Sequence, residues 1–126
     1  MWQIAKEFTF EAAHFLPNVP SGHQCSRLHG HSYKLVVELT AAKLDEEHGW
    51  IDDFATISAA VRPVVKRLDH RLLNEVDPGL GNPTSEILAA WIGATIAPEL
   101  PYLSSVTIHE TAASTARWHA ASEADR

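Results

Sequence analysis

Leu28-His29-Gly30-His31-Ser32-Tyr33-Lys34-Leu35-Val36-Val37-Glu38-Leu39 is the stretch on which the fold turns. Tyr33, Leu35, Val37 and Leu39 recur at every second position, the period of a strand with one buried face. Working backwards, Trp2 to Ala13 has the same period: Trp2, Ile4, Phe8, Phe10 and Ala12 share one parity, and Gln3, Glu7, Thr9 and Glu11 hold the other. Between the two lies Leu16-Pro17-Asn18-Val19-Pro20-Ser21-Gly22, dense in helix and strand breakers and therefore a loop.

Working forwards, the period changes. His48-Gly49-Trp50 reads as a turn, and Asp53 stands where it can cap a helix. Phe54, Ile57, Val61, Val64, Val65 and Leu68 fall on one helical stripe, which Pro63 should kink or split. Pro78 to Pro83 is a second loop. A second helix is expected to start near Pro83-Thr84-Ser85-Glu86, to bury Ile87, Leu88, Trp91, Ile92, Thr95 and Ile96, and to end at Pro98 and Pro101. Val106 to Glu110 is a third strand and Ala116 to Ala120 a fourth. The order ββααββ predicts an α+β fold, with helices gathered on one side of an antiparallel sheet, in a single domain over residues 1–126.

The bulk properties exclude several classes. A chain of 126 residues, 45% hydrophobic and 21% charged, can bury a core of its own. One cysteine forbids an intrachain disulfide, so a reducing, cytoplasmic setting is expected. Charge within Met1 to Glu7 is wrong for a signal peptide, and no stretch approaches the roughly 18 apolar residues of a membrane span. A net charge of −6 argues against a nucleic-acid partner, which needs clustered Lys and Arg.

Eight histidines in so short a chain point to chemistry. His29 and His31, two apart in a strand, face the same side. His14 ends the first strand with the parity of Phe8, Phe10 and Ala12, so a hairpin of the two strands would set it opposite His29 and His31. Three neutral imidazoles with an open fourth position make a catalytic zinc site; the alternative is core histidines satisfied by hydrogen bonds. Cys25 shares the polar loop Gly22-His23-Gln24-Cys25-Ser26-Arg27. Near a cation its thiolate is favoured, a usable base or nucleophile; it also fits a small buried residue or a fourth metal ligand. Asp69-His70 closes the first helix, either as a carboxylate-oriented proton shuttle or as a solvated helix end. Glu110 suits paired hydrogen bonds to an amidine-like edge of a heterocycle, or merely faces solvent.

Six blocks carry a resemblance over nearly the whole chain. They are Phe8-Thr9-Phe10-Glu11-Ala12-Ala13-His14, Cys25 to Tyr33, Gly49-Trp50-Ile51-Asp52-Asp53-Phe54, Leu68-Asp69-His70-Arg71-Leu72-Leu73-Asn74, Asn82-Pro83-Thr84-Ser85-Glu86, and His109-Glu110-Thr111. In this order they resemble the 6-pyruvoyl-tetrahydropterin synthase family, and most closely its bacterial branch that forms 6-carboxy-5,6,7,8-tetrahydropterin in the queuosine pathway. The branch rests on the three residues between Cys25 and His29. The interval is longer in the pyruvoyl-forming enzymes of animals, and a folate-precursor relative carries Glu in the thiol region. Asp52 departs from the family, which more often has an aliphatic residue before Asp-Phe.

The resemblance implies the T-fold: a four-stranded antiparallel sheet with two helices between its middle strands, and subunits joined into a homohexamer with active sites between them. It implies that His14, His29 and His31 hold Zn2+, that Cys25 abstracts a proton, and that Asp69 with His70 relays protons. It further implies that Glu110 anchors the pterin and takes part in the relay, and that Thr84 and Ser85 help bind the ring from a neighbouring subunit. The implied reaction is a zinc-dependent lyase step that takes 7,8-dihydroneopterin triphosphate to 6-carboxy-5,6,7,8-tetrahydropterin, acetaldehyde and triphosphate. His23, Arg27 and Lys34 are candidates for the triphosphate. The alternatives are 6-pyruvoyl-tetrahydropterin formation and a non-catalytic T-fold metal-binding module.

Overall fold

In the computed structural model, which describes residues 1–121, the two alternating segments form strands β1 (Trp2–His14) and β2 (His29–Ala41). Residues 122–126, the end of the expected domain, lie outside the described residues. The strands pair antiparallel in unbroken register, from Trp2 opposite Ala41 to His14 opposite His29. The parity is the expected one: Phe8, Phe10 and Ala12 are buried with Tyr33, Leu35, Val37 and Leu39. Trp2 shares that parity but is exposed, because burial needs cover above the face as well as the right parity.

Helix α1 (Phe54–Leu68) starts on Asp53, whose carboxylate accepts the Ala55 N–H at 2.8 Å. Ile57, Ala60, Val61, Val64 and Leu68 form its buried stripe, while Phe54 in the first turn is exposed. Pro63 does not split the helix, which runs unbroken through it. Pro63 and Ala59 both lie on the solvent face, so water can serve the carbonyl that the proline leaves without an N–H partner.

Helix α2 (Ser85–Ile96) begins at the expected place, with Thr84 Oγ1 accepting the Ile87 N–H at 3.1 Å. Its buried face is rotated from the expected one. Ser85, Leu88, Ala89, Ile92, Gly93 and Ile96 point inward, whereas Ile87 and Thr95 are exposed and Trp91 is half-buried. The reason is steric: a Cβ on Gly93 would meet the Trp118 indole at 2.3 Å, so the large ring lies flush against the small residues of the helix. A pattern that counts only large apolar residues misses a face built from Ala and Gly.

The sheet has five strands in the order β3-β1-β2-β4-β5, one more than expected. The addition is β3 (Arg71–Leu72), parallel to β1 at Ala12 and Ala13, which makes the sheet mixed. Two residues are too few to show a strand period. β4 (Leu103–Thr111) and β5 (Ser114–His119) complete it, antiparallel to their neighbours. Helix α1 packs on β1, and α2 on β4 and β5. One hydrophobic cluster joins both helices to the sheet. Among the described residues no helix is long and apolar enough to cross a membrane.

Candidate metal and pterin site

The site grows from the end of the β1–β2 hairpin. Register puts His14 opposite His29 and Ala12 opposite His31. All three imidazoles therefore project from the core face, beyond the last core side chains. Their ring centroids stand 4.6 Å (His14–His29), 5.1 Å (His14–His31) and 4.9 Å (His29–His31) apart. Glu110, near the end of β4 and on the parity of Val106 and Ile108, completes the group. One donor atom from each of the four lies within 4.8 Å of all the others.

Hydrogen bonds set the ring tautomers. His14 Nδ1 donates to the Pro83 carbonyl at 2.9 Å, and His29 Nδ1 to the Arg27 carbonyl at 2.7 Å. A carbonyl only accepts, so both rings carry the proton on Nδ1 and turn an Nε2 lone pair toward the cluster. Glu110 Oε1 stands 2.8 Å from His31 Nε2 and 3.4 Å from His14 Nε2, and Oε2 accepts the Ser85 hydroxyl at 2.9 Å. His31 Nε2 is buried, and its contact with Glu110 is not in hydrogen-bond geometry. A buried nitrogen without a hydrogen bond, facing two other imidazole lone pairs and a carboxylate, is what a divalent cation satisfies. The residues present fit a zinc-type ion.

The electrostatics at His31 favour its neutral ring. Burial lowers the His31 pKa and the neighbouring His14 and His29 lower it further, while Glu110 alone opposes them. Below the cluster, the Tyr33 hydroxyl lies 3.4 and 3.5 Å from the two ring nitrogens of His14. Burial, then the Glu110 charge, pushes the Tyr33 phenol well above its ordinary value, so it stays neutral.

The other expected residues surround this centre. Cys25 is half-buried in a single 3-10 turn (Gln24–Ser26), outside the group of four donors, and its carbonyl accepts the Leu16 N–H at 2.8 Å. The His23 ring caps that turn by accepting the Cys25 N–H at 3.0 Å. Asp69 is the C-cap of α1: its Oδ1 accepts the Glu11 N–H at 2.8 Å and its Oδ2 the His70 Nδ1–H at 2.9 Å. The Glu11 backbone bond, then His70, hold the Asp69 carboxyl below its usual range. His70 has a left-handed backbone (φ 58°), donates its own N–H to the Glu11 carbonyl and exposes its ring. A groove of about 560 Å³ is lined by both His70 and His31, together with Glu11, Gly30, Ser32 and Arg71.

A smaller cavity of about 330 Å³ on the other flank is lined by Ser85, Glu110, Thr115 and Arg117. Thr84 spends its hydroxyl on the helix cap. Arg27 is exposed. Lys34 points to the opposite sheet face from His29 and His31, with its Nζ 3.8 Å from Glu7. Sequence reasoning did not foresee Glu110 among the four donors, although its parity in β4 is the signal that finds it. Asn74 and Pro83 stand within the blocks that carry the resemblance but receive no role from it, because a side-chain clamp on backbone and a carbonyl acceptor have no spacing of their own.

A three-histidine cluster with a carboxylate, set at the end of the sheet of a two-helix α+β fold, could hold a metal ion. Residues 3–121 match the family described as 6-pyruvoyl tetrahydropterin synthase. The chain is 45% identical over 123 residues to the 6-carboxy-5,6,7,8-tetrahydropterin synthase of Synechocystis sp., covering 94% of this chain and 93% of that one. It is 36% identical over 99 residues to the dihydroneopterin monophosphate aldolase of Pyrococcus furiosus, covering 79% and 78%. The fold superposes on the 6-pyruvoyl tetrahydropterin synthase of Caenorhabditis elegans with a TM-score of 0.86 at 23% identity, covering 95% and 96%. The chain belongs to the 6-pyruvoyl tetrahydropterin synthase family.

Proposed function

We propose that this chain is a zinc-dependent 6-carboxy-5,6,7,8-tetrahydropterin synthase. It acts on 7,8-dihydroneopterin triphosphate in a 7-deazapurine (queuosine-type) pathway of the cytoplasm. The observation that carries the reading is the convergence of His14, His29 and His31 on one point beside Glu110, together with Cys25 four residues before His29. The 45% identical relative of that name supports the product.

Bound zinc supplies Lewis-acid polarisation of the hydroxyl oxygens on the substrate side chain. The chain's own groups do the rest. Glu110, held by Ser85, accepts hydrogen bonds from the 2-amino and ring N–H groups of the pterin. The Cys25 thiolate removes a carbon-bound proton from the side chain. His70, held by Asp69, exchanges a proton at the adjacent carbon. The ring gains hydrogen as the side chain becomes a carbonyl; triphosphate leaves, and a water molecule adds to the carbonyl next to the ring, so that carbon–carbon cleavage leaves the carboxylate there and releases acetaldehyde. Thr84 and Ser85 contribute to the ring site, and His23 and Arg27 to the triphosphate. Subunits associate as a homohexamer, with sites at their junctions.

Incubation of the zinc-loaded protein with 7,8-dihydroneopterin triphosphate, followed by mass analysis, tests this. Carboxylated tetrahydropterin plus acetaldehyde is expected. A pyruvoyl product assigns the chain to the pyruvoyl branch, and no turnover with zinc retained leaves a metal-binding module.

A further inference from the structure

Asn74 has no role in the chemistry above, yet its side chain makes three hydrogen bonds to backbone at the foot of the metal centre. Its Oδ1 accepts the Phe15 N–H at 3.1 Å, and its Nδ2 donates to the Phe15 carbonyl at 2.8 Å and to the Gly81 carbonyl at 3.3 Å. The first two bonds imitate a strand partner for Phe15, which immediately follows His14. The next residue, Leu16, donates its N–H to the Cys25 carbonyl. Two residues beyond Gly81, the Pro83 carbonyl accepts His14 Nδ1–H and fixes that ring's tautomer.

We infer that Asn74 is a positioning residue that locks three segments together: the exit from His14, the turn carrying Cys25, and the loop whose Pro83 carbonyl aims His14 at the metal. The inference rests on the zinc reading above. Only a side-chain amide serves here, because the site needs one acceptor for an N–H and donors for two carbonyls. A carboxylate of the same shape keeps the acceptor and sets an oxygen against both carbonyls. Alanine removes all three bonds and leaves Phe15 to water. His14 then loses its fixed orientation, and the spacing between the metal and the Cys25 turn is no longer held.

The test uses the full chain loaded with zinc or cobalt(II), in wild type, Asn74→Ala and Asn74→Asp. Zinc dissociation constants come from chelator competition, and coordination from the cobalt absorption spectrum. Because Cys25 is the only thiol, its alkylation rate with and without zinc reads the coupling between turn and metal. Both variants are expected to weaken zinc binding about 10- to 100-fold, the usual effect of losing support behind a metal ligand, and to alter the cobalt spectrum. Zinc is expected to change the alkylation rate in wild type and much less in the variants. Variants that melt earlier but keep wild-type zinc affinity, cobalt spectrum and zinc-dependent alkylation would reduce Asn74 to a structural clamp. If Asn74→Ala does not fold, the Asp variant alone decides by the same readouts. Wild type that fails to bind zinc overturns the metal reading itself, a distinct result.

Discussion

An imidazole ligates a metal through a lone pair, so the tautomer matters as much as the position. His14 and His29 each commit Nδ1–H to a backbone carbonyl, which leaves Nε2 for the cation. His29→Ala is therefore expected to abolish tight zinc binding while the hairpin survives, because His29 is half-buried and outside the core. Zinc content by elemental analysis, with circular dichroism as the fold control, reads this; full zinc occupancy in a folded variant would remove His29 from the ligand set. Cys25 differs in kind, being outside the donor group. Cys25→Ala is expected to keep zinc and the fold yet lose turnover by about 10²-fold or more, the scale of a lost proton-transfer group. An unchanged rate would exclude the thiol from the mechanism.

At the scale of elements, the helix ends bring the site together. Thr84 caps α2 and places Ser85 against Glu110. Thr84→Ala should cost about 1 kcal/mol in chemical denaturation; no change would mean the cap bond contributes nothing. The C-cap of α1 ties Asp69 and His70 to β1. With its carboxyl held below the unfolded value of about 3.9, Asp69 stabilises the fold fully above that pH, and the stabilisation is lost as pH falls through the folded value. The stability difference between wild type and Asp69→Asn should thus be largest near neutrality and shrink below about pH 4. A difference that is flat with pH would contradict the assigned bonds.

The long strands, the Asp53 cap, the start of α2 and the three-histidine cluster were legible because each follows from a local period, a cap residue or a parity. The rotated face of α2 was not, because it depends on the contact of Gly93 with Trp118, a residue distant in sequence. Nor was β3, whose two residues acquire strand geometry only by pairing with Ala12 and Ala13. The aim of Lys34 away from the histidines follows from the same parity that places His29 and His31, and strand alternation alone could have found it.

For the whole molecule, the β1–β2 hairpin end supplies His14, His29 and His31 and the end of β4 supplies Glu110, so the four donors come from three separate strands. The unfolded chain has no such site, so zinc at concentrations well above its dissociation constant should raise the melting temperature. The wild-type shift should vanish in His29→Ala; an equal shift in both would place the zinc elsewhere. The most direct measurement is X-ray absorption at the zinc edge of the loaded protein. Three imidazole nitrogens at about 2.0–2.1 Å and no sulfur in the coordination shell is the expected result. A sulfur scatterer at about 2.3 Å would make Cys25 a ligand rather than a base and would contradict the assignment on which the proposed reaction depends.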